Sequence, residues 1–163
     1  MKIFLTGGTG FIGSHFVSKA LSDGHNLTCL IRPGIHKRIR LENEPSWIEG
    51  TYEDNYDEVF KGCDVFVHLA AHSTNVPYDT LENCLYWNLT VSLQFLQQAR
   101  ESGIEKFIIA GTGFEYGLSG DRYESIPVDA PLEPTMTYPA SKAAASVAFT
   151  QWAIEYHLQL QYL

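Results

Sequence analysis

The sequence predicts an α/β domain built on a doubly wound parallel sheet, and three observations carry that prediction. Short, continuous apolar runs alternate with helix-length segments, the pattern of strands covered on both faces. Gly7, Gly10 and Gly13 stand at intervals of three between the first such run and the first helical segment. A polar stretch rich in glycine and proline, residues 111–134, follows the fifth run, where an open parallel sheet gathers its ligand loops.

Taken in order, Ile3–Leu5 is the first strand and Phe11–Leu21 the first helix. Between them, Gly7 permits a tight strand-to-helix turn, Gly10 a close approach of pyrophosphate to the backbone, and Gly13 the packing of helix on strand. The backbone of Phe11, Ile12 and Gly13 then offers the free N–H groups of a helix N-terminus to phosphate. Asp23–Asn26 is a turn, Leu27–Ile31 a strand, and Trp47–Ile48 a short third strand. Asp54–Lys61 reads as a brief helix stopped by Gly62. Val65–Leu69 is the fourth strand. A long helix is expected from Thr80 to Ser102, ending at Gly103. Lys106–Ala110 is strand five, a helix covers Tyr138–Tyr156, and Leu158–Leu163 alternates as strand six. The chain stops in that strand, which leaves an apolar edge and implies a fragment of a longer protein.

At 163 residues and 45% hydrophobic content, one domain with a substantial core is expected. The net charge of -8 argues against nucleic acid or an anionic membrane as partner. No run approaches the roughly 20 apolar residues of a membrane span, and the early glycines break any signal-peptide pattern. Cys29, Cys63 and Cys84 are odd in number and at no metal-ligand spacing, so they read as buried thiols in a reducing cytoplasm.

The chemistry concentrates in two places. Tyr138 and Lys142 stand at i and i+4 at the start of a helix, on one face. An ammonium beside a phenol lowers its pKa and suits it to exchange a proton with an alcohol or ketone. Thr112 follows strand five, where its hydroxyl can hold a substrate oxygen against Tyr138; the alternative is a loop threonine bonded to its own backbone.

The glycine turn, the hydroxyl after strand five and the Tyr-x-x-x-Lys pair together resemble the extended short-chain dehydrogenase/reductase family, the NAD-dependent epimerase/dehydratase group. His68-Leu69-Ala70-Ala71 is similar to the family segment after strand four, in which Leu69, Ala70 and Ala71 line the cofactor. Trp87-Asn88-Leu89-Thr90 resembles the stretch whose asparagine, Asn88, supports the site near the nicotinamide. Ala110–Gly117 looks like the family's hydroxyl loop. The resemblance implies a Rossmann-type sheet in the order 3-2-1-4-5-6 and an N-terminal half without its C-terminal substrate domain. It also implies a nucleotide-sugar oxidoreductase or epimerase that transfers hydride at a sugar carbon, with Tyr138 as acid/base, Lys142 on the nicotinamide ribose and Thr112 on the reacting oxygen. A homodimer through the two long helices is implied as well. A dinucleotide sensor without catalysis, or an inactive fragment, is the competing reading.

Several positions depart from the family pattern. Arg32 occupies the end of strand two, where an acidic residue commonly meets the ribose 2′-OH. With Lys37, Arg38 and Arg40 it puts four of the 11 basic residues into nine positions, which suits a 2′-phosphate; NADP is expected, with NAD the second choice. Thr51 stands where an aspartate would contact adenine. Gly113 and Phe114 replace the acidic pair of 4,6-dehydratases, and Glu115, one place later, is expected to point elsewhere. The Gly-Thr-x-Phe-Glu-Tyr-Gly loop resembles that of CDP-deoxysugar 4-ketoreductases.

Overall fold

The computed structural model describes residues 1–35 and 41–163. Six parallel strands, β1 (Lys2–Thr6), β2 (Asn26–Ile31), β3 (Ser46–Glu49), β4 (Val65–His68), β5 (Lys106–Ile109) and β6 (Gln159–Tyr162), form one sheet in the order β3-β2-β1-β4-β5-β6. This is the predicted order, with all neighbouring strands parallel. The direction of winding reverses between β1 and β4, so the loops leaving those two strands open a crevice at their C-terminal ends.

The two faces of the sheet differ in filling. On one, α1 (Phe11–Ser22) packs on an aliphatic cluster of Ile3, Leu5, Val17, Leu27, Val65 and Val67. On the other, aromatic residues dominate. Phe4, Phe60, Phe66 and Phe95 meet with ring centroids 4.8–5.9 Å apart, and Phe107 and Trp152 extend the group. Alternation along each strand assigns the residues: Phe4 and Phe66 face one side, Leu5 and Val67 the other. Phe60 comes from the short helix α2 (Asp57–Phe60), whose chain is turned away at Gly62.

The long helix expected over 80–102 is helical throughout but not uniform. It comprises α3 (Leu81–Leu85), a π-helical segment (Tyr86–Val91) and α4 (Ser92–Glu101). Thr80 caps its start by accepting the Asn83 N–H at 3.2 Å. A π segment inserts one extra residue per turn and often marks a functional position; here it contains Asn88. The last helix, α5 (Thr137–Glu155), packs on α3 and the π segment. Among the described residues no helix is long and apolar enough to cross a membrane.

Candidate active site

Four chain segments converge at the C-terminal ends of the strands. The first is the glycine turn. Gly7 has φ +80°, and a Cβ there would lie 2.6 Å from the Ala70 amide nitrogen. The turn after β1 and the 69–71 segment after β4 are therefore in backbone contact, as the predicted crevice requires. Gly13 is closed in by the turn itself: a Cβ would sit 2.0 Å from Gly7 O. Gly10 differs, since a Cβ there would meet only Gly7 O, at 3.3 Å. The space before it is open, and the first-turn N–H groups of Phe11, Ile12 and Gly13 have no acceptor within α1. This cradle fits a pyrophosphate, held by backbone amides and the positive end of α1.

The second segment, residues 68–79, is held from beneath. His68 is buried, its Nδ1 lies 2.8 Å from Thr6 Oγ1, and burial pushes its pKa down to about 3, so it is neutral. Asn88 secures the next turn: its Oδ1 accepts the His72 N–H at 2.7 Å, and its Nδ2 donates to His72 O at 3.2 Å and to Ser141 Oγ at 2.9 Å. Ser141 in turn donates to Tyr138 O at 2.8 Å. Asn88 thus ties the β4 loop to the start of α5 rather than reaching outward itself. His72 Nε2 lies 2.8 Å from Asp79 Oδ2, and Thr137 donates to Asp79 O at 2.8 Å. Hydrogen bonds and the nearby imidazole hold the Asp79 carboxyl down at about 2. Replacing Asn88 by alanine removes one buried and two part-buried hydrogen bonds, and a loss of about 2–3 kcal/mol in urea unfolding is expected, with faster hydrogen exchange at the His72 amide.

The third and fourth segments carry Thr112, Tyr138 and Lys142, the residues expected to do the chemistry. Thr112 caps the short 3₁₀ turn Gly113–Glu115: its Oγ1 accepts the Phe114 N–H at 3.3 Å, while its own N–H donates to Glu115 Oε1 at 2.8 Å. Glu115, one place past the acidic pair of 4,6-dehydratases, points inward. Its side chain turns back under Thr112 and is buried, only 4% exposed, where the carboxylate also accepts the Tyr162 hydroxyl at 3.2 Å. A capping-box spacing, Thr-x-x-Glu, was the available signal. Lys142 is 3% exposed and donates to Ala110 O at 2.7 Å; burial lowers its pKa to about 8. Tyr138 lies with its ring 5.4 Å from that of Tyr78. The expected depression of this phenol is not found. Burial first, then Glu115, Tyr78 and Cys84, move its pKa upward. Lys142 is directed at the end of β5, and desolvation of the phenol prevails.

Arg32, just beyond β2, borders a polar cleft of about 550 Å³ with Ala71, His72, Ser73 and Asp79 in its lining. Lys37, Arg38 and Arg40 lie outside the described residues. A family model, that of the NAD dependent epimerase/dehydratase family, matches residues 3–163. The chain belongs to that family.

Similarity to individual epimerase/dehydratase members is moderate and runs along nearly the whole chain. A UDP-glucose 4-epimerase of Corynebacterium glutamicum is 29% identical over 164 residues, which cover 97% of this chain and 48% of that enzyme. The crystal structure of the Thermotoga maritima UDP-glucose 4-epimerase with UDP-glucose superposes with a TM-score of 0.82 at 26% identity, over 99% of this chain and 54% of that one. An NAD dependent NDP-hexosamine 5,6-dehydratase involved in tunicamycin biosynthesis gives a TM-score of 0.82 at 25% identity, over 93% and 50%. The chain spans about half the length of the curated relatives it matches.

Proposed function

We propose that the chain is the cofactor-binding and proton-transferring half of an NAD(P)-dependent nucleotide-sugar oxidoreductase or epimerase. The observation that carries this reading is the packing of α5, which bears Tyr138 and Lys142, on the Thr112-capped turn after β5, where Lys142 donates to Ala110 O, beside a glycine cradle open at Gly10. Relatives that act on UDP-glucose and an NDP-hexosamine support the substrate class.

When bound, the nicotinamide supplies or accepts the hydride. The chain does the rest. Phe11, Ile12 and Gly13 hold the pyrophosphate by their amides, and Leu69, Ala70 and Ala71 form the opposite wall of the crevice. Tyr138 gives its phenolic proton to the oxygen of the reacting carbon, or takes it back in the reverse direction. Thr112 positions that oxygen by a hydrogen bond. Lys142 places an ammonium one helix turn from Tyr138 and binds the nicotinamide ribose. Asn88 keeps the β4 loop and α5 in register. Arg32 favours a 2′-phosphate through charge and planar hydrogen bonding, so NADP is preferred to NAD.

Calorimetric titration with NADP and with NAD, on the chain and on Arg32→Ala, tests the reading. The expected result is NADP binding tighter than NAD, by roughly tenfold, and abolition of that preference in the variant. Binding of neither dinucleotide would overturn the reading. Equal affinity for both in the parent would remove the role of Arg32 and leave NAD as the cofactor. Dinucleotide binding without transfer to any nucleotide sugar, in a protein that includes the substrate half, would favour a sensor.

A further inference from the structure

Glu115 is the buried charge that the proposed mechanism leaves unused. Its burial is costly unless the carboxylate is well partnered, and the structure shows how the site is built to receive it. Oε1 accepts two donors, the Thr112 amide at 2.8 Å and the Tyr162 hydroxyl at 3.2 Å. Tyr162 lies at the end of β6, 47 residues away in sequence. Its hydroxyl also lies 3.3 Å from Lys142 O, and the Lys142 ammonium is 5.8 Å from the centre of its ring. Gly111 makes this closure possible: a Cβ there would lie 2.4 Å from Tyr162 Cε1 and 3.0 Å from Glu115 Oε1. Carboxylate and phenol are thus packed over one glycine, with the ammonium beside the phenol ring, behind Thr112.

We propose that Glu115 is a positioning residue for the reacting pair, holding Thr112 by its backbone and supplying the buried negative charge that acts on the Lys142 ammonium. This rests on the reading of Tyr138 and Lys142 as the proton-transferring pair. The groups involved can be named from each packed element. Toward α5, Glu115 acts on Tyr138 and Lys142; toward β6, on Tyr162. Lys142 also acts on His68 at the end of β4, and Tyr138 is acted on by Tyr78 and by Cys84 of α3. Burial alone drives Lys142 toward the neutral amine, and the Glu115 charge opposes it. The carboxylate favours the protonated lysine against burial, and it adds to burial in holding the proton on the phenol. One acid therefore tunes both members of the pair, and it fixes the loop that presents the third group.

The test does not require catalysis. Carbon-13 labelling at lysine Cε, with Lys142→Met to assign the resonance, gives the Lys142 titration directly. In the unaltered chain the midpoint is expected near 8. Glu115→Gln keeps the size and an oxygen acceptor for the Thr112 amide but removes the charge. Its Lys142 midpoint should fall by about half a unit or more, whereas Glu115→Asp, which keeps the charge, should hold it close to the parent value. An unchanged midpoint in the Gln variant would overturn the proposal, as would equal falls in both variants. The unaltered chain gives a second reading even if Glu115→Gln does not fold: protonating Glu115 in acid should move the Thr112 amide and Lys142 Cε lines with one shared midpoint, and independent movement would overturn the proposal. Failure of dinucleotide binding would leave these titrations intact, so the two readings fail separately.

Discussion

Gly13→Ala is expected to lower the melting temperature by roughly 6–12 °C and to abolish dinucleotide binding. A Cβ at this position would lie 2.0 Å from Gly7 O, 2.7 Å from Gly7 C and 2.9 Å from Gly8 Cα. All three atoms are backbone, so no side-chain rotation relieves the clash. Relief requires α1 to move off the turn, and the turn is itself seated on Leu69 and Ala70. Overpacking of this kind costs about 3 kcal/mol or more, and in a domain of this size each kcal/mol is roughly 2–4 °C. Gly113→Ala is the control, because a Cβ there meets nothing within 4 Å and the backbone is not left-handed. It should melt within about 1 °C of the parent. Equal melting temperatures for Gly13→Ala and the parent would show that the turn and helix are not close-packed.

The stability of the parent chain relative to Lys142→Met is expected to rise by about 2 kcal/mol between about pH 7 and about pH 10. The sign follows from linkage. Burial lowers the folded pKa of Lys142 to about 8 from 10.5, so over this range the unfolded chain binds more protons than the folded one. Stability attributable to Lys142 therefore rises with pH toward the unfolded value and is lost as pH falls through the folded one. Other buried groups act in the opposite sense. Cys29 and Tyr52 are both raised to about 12 by burial, and stability is lost as they ionise in the unfolded chain. Both chains share these groups, so the difference isolates Lys142. Urea unfolding of the two proteins at the two pH values provides the check, and a difference that does not change with pH would refute the burial of a charged Lys142.

Much of this architecture is legible in the chain because it depends on local pattern. Runs such as Ile3–Leu5 and Val65–Val67 are apolar on both faces, and each lies within a strand of the sheet. Gly7 and Gly13 are legible for the same reason, since a left-handed turn or a backbone contact admits few other residues. The reading falters where the deciding contact is distant. Nothing near Tyr138 announces that burial, reinforced by Glu115 and Tyr78, will reverse the expected shift. Helical periodicity over 80–102 could not distinguish the π segment, because one wide turn displaces the apolar stripe by only a single residue. Ser141 reads as filler between Tyr138 and Lys142, yet it is the bond by which Asn88, 53 residues earlier, anchors α5.

The unequal filling of the two sheet faces distributes the three tryptophans as natural reporters. Trp47 packs against the aliphatic cluster, Trp152 belongs to the aromatic one, and Trp87 lies 6.3 Å from the His72 ring beside the β4 loop. Each indole therefore senses a different compartment of the same small molecule. Single-tryptophan versions would separate the optical signal of movement in the β4 loop, at Trp87, from that of loss of the core, at Trp152, and from loosening of the α1 side, at Trp47. The fold thus carries the means of timing its own assembly, face by face.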